Sequence, residues 1–314
     1  MSAIKLLNIK KSKLKQKKVS KNQKQTESTF GYKWAKTDSY DSKAFADFTK
    51  KFVFELFCDN DPSQVDYWLK GGEKIILDAG CGSGYSAELL FGKKLNDHHY
   101  LGVDISDSIY VGEKRFKELG VKGEFLKANL MDLNFIKDGS IDIIYSGGVL
   151  HHTDSTEKAI KYLTKKLKKG GLFLFYVYSK KSVIREFTDD YVRNELQKYS
   201  DQKAWEKLYP LTKLGIALGK LNVEIDIPED IDLLGIKKGK MDIQRFFYWN
   251  ICKAYYRPEY NLEEMNHLNF DWFRPLNCHR QTPEQLKKWC KEAGLKIENM
   301  YIQESGITVI GRKK

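Results

Sequence analysis

The sequence predicts an α/β protein with a doubly wound, mainly parallel sheet, and three observations carry that class. A short apolar run, Ile75-Ile76-Leu77, ends at Asp78 and leads straight into a turn with glycine at Gly80, Gly82 and Gly84. Further apolar runs follow at Tyr100–Val103, Asp142–Tyr145 and Leu172–Tyr178. The stretches between them read as helices or turns, so strands and crossovers alternate. Uninterrupted apolar runs suit strands covered on both faces, the usual condition of a parallel sheet.

Taken in order, the chain begins with residues 1–26, which hold nine lysines and no acid and supply most of the net charge of +12. Lys, Ser, Gln and Asn leave little apolar surface to bury, so residues 1–29 are expected to be a basic, solvated tail. Its Ile4, Leu6, Leu7 and Ile9 could form a short amphipathic helix, and its charge could serve phosphates of nucleic acid or an anionic surface. A helix over Ser42–Phe57 follows from the apolar face of Phe45, Phe48, Phe52 and Leu56.

The glycine turn is where chemistry enters. Glycines at 80, 82 and 84 let the main chain turn sharply and approach a ligand, while a helix beginning near Tyr85 directs N–H groups at it. A dinucleotide fingerprint, G-x-G-x-x-G, needs a glycine where Tyr85 stands. The second strand ends in Asp104, twenty residues after Gly84. A carboxylate there can accept hydrogen bonds from both ribose hydroxyls of an adenosine; the other reading is a turn or cap aspartate, as Asp107 could also be.

With Asp78, Gly80, Gly82 and Gly84 in the pattern D-x-G-x-G-x-G, the segment resembles the first motif of class I S-adenosylmethionine-dependent methyltransferases. The resemblance implies a Rossmann-like sheet of seven strands with the last one antiparallel, and S-adenosylmethionine as donor with S-adenosylhomocysteine as product. It assigns donor contacts to Asp78, Gly80, Cys81, Gly82 and Gly84, to Asp104 and Ile105, to Asn129 and Leu130 within Gly123–Phe135, and to Ser146. The family often has Asp where Asn129 stands; an Asn carbonyl accepts the same bond from the adenine amino group, and Asp132 is the fallback. Ile141–Thr153, I-D-I-I-Y-S-G-G-V-L-H-H-T, is similar to the family's fourth motif. F-G-Y-K-W at Phe30–Trp34 is similar to a segment whose aromatics close over the donor, making Tyr32 and Trp34 candidate lid residues; anchoring the first helix is the alternative.

The remaining elements complete the sheet. An amphipathic helix is expected over Asp154–Lys169, ended by Gly170 and Gly171, before the strand at Leu172–Tyr178. Thr282 and Pro283 open a last helix, and Leu295–Gln303 and Gly306–Gly311 read as a closing antiparallel pair. Four segments result: the tail (1–29), N-terminal helices and donor-binding part (30–178), an insertion (179–281) and the closing elements (282–314). The insertion is aromatic and largely helical, and it is expected to cap the substrate pocket.

The end of that insertion, Asp271–Leu286, resembles a stretch in bacterial methyltransferases of surface-polysaccharide and other specialised pathways. Trp272, Arg274, His279 and Arg280 could line an acceptor site there, guanidiniums suiting a carboxylate or phosphate; packing is the other reading. Methyl transfer is an in-line displacement, so positioning matters most and a base is needed only for some acceptors. His151, in V-L-H-H, is the candidate base, with His152 second. Five scattered cysteines without a C-x-x-C pair argue for reduced thiols, and no metal-ligand pattern appears. No apolar run reaches membrane-spanning length, so the expectation is a cytoplasmic enzyme acting on a small molecule, with an RNA acceptor or a non-catalytic binding protein as alternatives.

Overall fold

The computed structural model describes residues 2–10 and 19–314. Four helices come first: α1 (Ala3–Leu6), α2 (Lys21–Ala35), α3 (Lys43–Cys58) and α4 (Ser63–Leu69). Strands and helices then alternate as β1 (Ile75–Ala79), α5 (Tyr85–Phe91), β2 (His99–Asp104), α6 (Ser108–Leu119), β3 (Glu124–Lys127), β4 (Ile141–Gly147), α7 (Thr156–Lys166) and β5 (Leu167–Tyr178). Next come α8 (Val183–Leu196), α9 (Asp201–Leu221), a hairpin of β6 (Glu224–Ile227) and β7 (Gly239–Asp242), α10 (Ile243–Asn250) and α11 (Leu262–Phe273). The chain closes with α12 (Pro283–Glu292), β8 (Leu295–Ile302) and β9 (Gly306–Lys313).

The main sheet has seven strands in the order β3-β2-β1-β4-β5-β9-β8, with β9 antiparallel to both neighbours. Strand order reverses between β1 and β4, and in such sheets ligands sit beyond the carboxyl ends of the strands at that point. Side chains alternate across the sheet as the pleat requires. Leu77, Ile144, Phe173 and Phe175 join one buried cluster with Leu163 of α7 and Leu286 of α12. Ile76, Ile143, Tyr145 and Leu174 join another with Phe57 of α3 and Phe116 of α6. Both faces are therefore covered, which is why the strands read as unbroken apolar runs.

The contacts divide the chain into two compact units. One comprises the described residues up to Ala35, Asp47–Ser179 and His279–Lys314; the other comprises Lys36–Ala46 and Lys180–Cys278. The second is built on α11 against α9 and α8, with Trp205, Phe270 and Phe273 buried among them. Thr212, Asn266 and Asn269 are buried with them as a hydrogen-bonded set, at 2.7 and 2.9 Å. Within the first unit, Ser179 bridges Gln281 and the Gln281 N–H donates to Tyr178 O at 2.9 Å.

Two expectations are corrected. The N-terminal region does not read as a solvated arm where it is described. Ala3 and Ile9 are buried in the core, Ile4 N–H donates to Glu124 Oε2 at 2.7 Å, and α2 begins at Lys21 with Gln23, Thr26 and Thr29 buried. The few apolar residues there find a prepared surface on the sheet, which a composition argument does not register. Lys11, Lys13, Lys15, Lys17 and Lys18 lie outside the described residues, as does any role for them with phosphates. The helix expected to reach Lys169 ends at Lys166, because Leu167 turns extended and pairs with Ile141.

Phe116 tests this packing. It is almost fully buried against Tyr100 and Phe125, with ring centroids 4.9 and 5.0 Å away. Phe116→Ala should cost about 3–5 kcal/mol in chemical denaturation, since the surrounding rings cannot all collapse into the space; a loss under about 1 kcal/mol would contradict the packing.

Candidate functional site

β1 delivers Asp78 and then the glycine loop, where Gly80, Gly82 and Gly84 have φ of 86°, 53° and 68°. All three lie in the left-handed region that glycine enters without strain. Space demands glycine too. A Cβ at Gly80 would lie 2.1 Å from Val149 Cγ1, one at Gly82 2.6 Å from Trp34 Nε1, and one at Gly84 2.7 Å from the Phe116 ring. The loop is tied to β2: Gly80 and Cys81 N–H both donate to Val103 O, at 2.8 and 3.1 Å, and Gly82 N–H donates to Asp104 Oδ2 at 3.0 Å. With Gly84 N–H donating to Cys81 O at 2.7 Å, four of the loop's amides are committed within the protein. What the loop offers a ligand is closeness of approach.

Asp104 is the centre of this arrangement. Its Oδ1 accepts from Ser106 N–H at 2.8 Å and from Ser106 Oγ at 2.7 Å, while Oδ2 accepts from Gly82. A carboxylate offers about four lone-pair sites, so one remains, on Oδ2. Asp104 can therefore take one further hydroxyl as it stands, and a second only if Ser106 rotates away. Ile105, next in the chain, is half-buried. Asn129 is also half-buried; its Oδ1 accepts from Met131 N–H at 2.9 Å and keeps its second lone pair, and the Leu130 side chain is buried beside it.

Asp78 is enclosed and accepts from Tyr100 Oη at 2.7 Å. Burial pushes its carboxyl up to about 7; the Tyr100 hydrogen bond opposes this and the Asp104 charge adds to it. The Cys81 thiol is held well above its ordinary value, chiefly by burial and then by Asp78 and Asp104, so it is not a nucleophile. Tyr100 and Ser106, the partners that fix both carboxylates, carried no sequence signal of their own.

Helix α2 lies against the loop. Trp34 packs on Gly82 and its ring is 6.4 Å from that of Tyr85, while the Lys33 ammonium sits 4.1 Å from the Trp34 ring. Tyr32, the other lid candidate, is half-buried on the same helix. Ser146 is fully buried with its hydroxyl donating to Ala79 O at 2.8 Å, so its side chain serves the β4–β1 contact. His151 is fully buried after β4, its ring 3.8 Å from that of Tyr178 and 4.2 Å from that of His152. Its carbonyl accepts from His279 N–H at 2.9 Å, and exposed His279 places Nε2 3.0 Å from Thr153 O.

In the second unit, Trp272 is buried and donates from Nε1 to Asp189 Oδ2 at 2.7 Å. Arg274 is buried too. Its guanidinium bonds Asp201 Oδ1 at 2.7 Å, Leu196 O at 2.8 Å and Tyr199 O at 3.0 Å, which stitches the α8–α9 turn and leaves it no role toward an acceptor. That corrects the expectation drawn from the guanidinium alone. Among the described residues no group of three or more His, Cys, Asp or Glu is arranged to hold a metal ion, and no helix is long and apolar enough to cross a membrane.

Residues 77–175 match the family model described as a methyltransferase domain. Among curated relatives, a sterol 24-C-methyltransferase of Aspergillus fumigatus is 32% identical over 111 residues, covering 34% of this chain and 28% of that protein. A tRNA U34 carboxymethyltransferase of Alteromonas mediterranea is 29% identical over 111 residues, 33% of this chain and 31% of that protein. The chain spans a quarter to under a half of the curated relatives it matches. Among solved structures, magnesium protoporphyrin IX methyltransferase of Synechocystis, with bound S-adenosylmethionine, aligns over 95% of this chain and 100% of its own at 10% identity and a TM-score of 0.49. The match is thus confined to residues 77–175, which run from β1 to β5 of the seven-stranded sheet.

The buried carboxyl gives a pH test. Its folded value of about 7 stands above the ordinary 3.8, so between those values the native state holds a proton that the unfolded chain has lost. Stability contributed by the protonated form is therefore lost as pH rises through that window. Asp78→Asn keeps an acceptor for Tyr100 and cannot ionise. Its thermal midpoint should exceed that of the native chain at about pH 8 and converge with it near about pH 4; parallel profiles would refute the assignment.

Proposed function

We propose that this chain transfers the methyl group of S-adenosylmethionine to a small-molecule acceptor. The observation that carries this reading is the junction of the glycine loop with β2, where Gly82 N–H rests on Asp104 and leaves an Oδ2 lone pair at the carboxyl end of the strand. Hydroxyl-accepting carboxylate, half-buried Asn129 amide and glycine cradle are the chemical set an adenosine sulfonium requires. When bound, that donor supplies an electrophilic methyl on a positively charged sulfur.

The chain's own residues then bind, orient and exclude water. Asp104 Oδ2 would accept one ribose hydroxyl, Asn129 Oδ1 the adenine amino group, and the Leu130 main chain and Ile105 would border the base. A cationic donor would favour the charged form of Asp78 against the burial that keeps it protonated. Trp34 and Tyr32 on α2 would close over the loop and keep water out, which matters because displacement at a sulfonium competes with solvent. Positioning of the acceptor behind the methyl supplies most of the rate, through entropy already lost on binding.

A base is needed where the acceptor is a hydroxyl. His151 supports that role by its position on the turn after β4, and its stacking on Tyr178 would hold the ring. The relatives' names state acceptors as unlike as a sterol and tRNA, while each match covers about a third of this chain. Acceptor choice is accordingly assigned to residues beyond the shared segment, and Lys180–Cys278 are the largest such block.

Asp104→Ala should weaken donor binding about a hundredfold by calorimetry, by removing the ribose acceptor and freeing Gly82, while far-ultraviolet circular dichroism stays native. Ser106→Ala should bind the donor at least as tightly as the native chain, because it releases the Oδ1 lone pair that the serine hydroxyl holds. Unchanged affinity in Asp104→Ala would refute the reading.

A further inference from the structure

The edge of the main sheet opposite the carboxyl ends of β1 and β2 is lined with lysine. There β4, β5 and β8 begin and β9 ends, since Ile141 pairs with Leu167 and Leu295 with Lys313. Main-chain contacts gather the cations of this edge. Gly139 N–H and the Lys313 ammonium both donate to Lys165 O, at 2.9 and 3.1 Å, and Lys313 also donates to Leu167 O at 2.7 Å. Lys137 belongs to the same turn, its carbonyl accepting from Ser140 Oγ at 2.6 Å. Gly170, next to Lys169, accepts from Arg312 Nη1 at 2.8 Å, and Arg312 stands opposite Lys296 on β8.

The counter-charges are few and already taken. Asp142 accepts from Lys168 at 2.9 Å, Asp138 lies 2.8 Å from the ammonium of buried Lys166, and Glu298 accepts from Arg312 at 2.6 Å. The Lys166 hydrogen bond, with the charges of Lys166, Lys165 and Lys313, holds the Asp138 carboxyl below its ordinary value, so this carboxylate sits in a surplus of positive charge. Lys137, Lys165, Lys169 and Lys296 are exposed, and none forms an ion pair among the described residues. No large apolar side chain is exposed along 137–171, 291–301 or 306–314.

Shape and chemistry together select the partner. Neighbouring strands stand about 4.8 Å apart, so the row from β4 through β5 and β9 to β8 runs about 14 Å. One strand of a duplex presents a phosphate about every 3.4 Å of axis, hence about four over that length. With no exposed ring to stack a base and no apolar side chain to enter a bilayer, charge in a line is what the edge offers. We propose that this edge docks the phosphate backbone of double-helical nucleic acid without reading its sequence. Lys137, Lys165, Lys169 and Lys296 supply the charge, and Lys313, held by two carbonyls, stands between them. Asp104 and the glycine loop lie at the other edge of the sheet, so the docked strand is not the methyl acceptor. The inference does not depend on the methyl-transfer reading.

Fluorescence anisotropy of a labelled RNA duplex of about 20 base pairs, titrated with the whole chain, tests it. Every protein carries Lys11→Gln, Lys13→Gln, Lys15→Gln, Lys17→Gln and Lys18→Gln, so those residues contribute no charge to the signal. Affinity should fall about a hundred- to a thousandfold between about 50 and 200 mM salt, a log–log slope of about −4. Adding Lys165→Gln and Lys169→Gln should reduce that slope by about 2 and weaken binding at about 50 mM salt at least about tenfold, with the melting curve and donor affinity unchanged. Lys114→Gln, on the exposed surface of α6, should change neither quantity. Absence of binding, a salt-insensitive complex, or a double variant that binds like its parent overturns the proposal. So does tighter binding to vesicles of anionic phospholipid than to the duplex, which would assign the edge to a lipid surface. A parallel donor titration reads the methyl-transfer proposal separately.

Discussion

The hydrogen bond from Gly82 N–H to Asp104 Oδ2 is the constraint on which the rest of the site depends. It joins the loop after β1 to the end of β2, so the backbone proposed to approach the donor and the carboxylate proposed to recognise it are fixed by one contact. Each side needs the other. Without Asp104 the Gly82 amide would be buried and unpaired, and without the left-handed glycine the amide could not reach. The parallel pairing of Asp78 with Gly102 and Ala79 with Val103 holds this junction in register. Phe116, beneath Gly84, fills the space that glycine leaves open.

Much of this was legible in the amino-acid order, for a physical reason. Strands covered on both faces must be apolar throughout, so Ile75–Leu77, Tyr100–Val103 and Leu172–Tyr178 announced themselves, and a loop with glycine at 80, 82 and 84 has few purposes. The closing elements were equally plain, since Thr282 and Pro283 mark a helix start by their own chemistry. What stayed hidden depends on distant partners. Ala3 and Ile9 bury themselves only because the sheet offers them a surface, and Lys33 is buried only because Phe30 and Trp34 flank it.

The site residues divide the same way. Asp104 was placed by spacing, but its three internal hydrogen bonds, which limit it to one further hydroxyl, come from Ser106 and Gly82. Ser146 and Arg274 looked available as isolated side chains. In the fold the first serves Ala79 and the second the α8–α9 turn. A long charged side chain declares its role only when its desolvation is known.

A crystal structure of the chain with S-adenosylhomocysteine bears most directly on the central claim. The account predicts a ribose hydroxyl within about 3 Å of Asp104 Oδ2 with the Gly82 contact retained. An empty crevice at the ends of β1 and β2, or an adenosine held elsewhere, would contradict it.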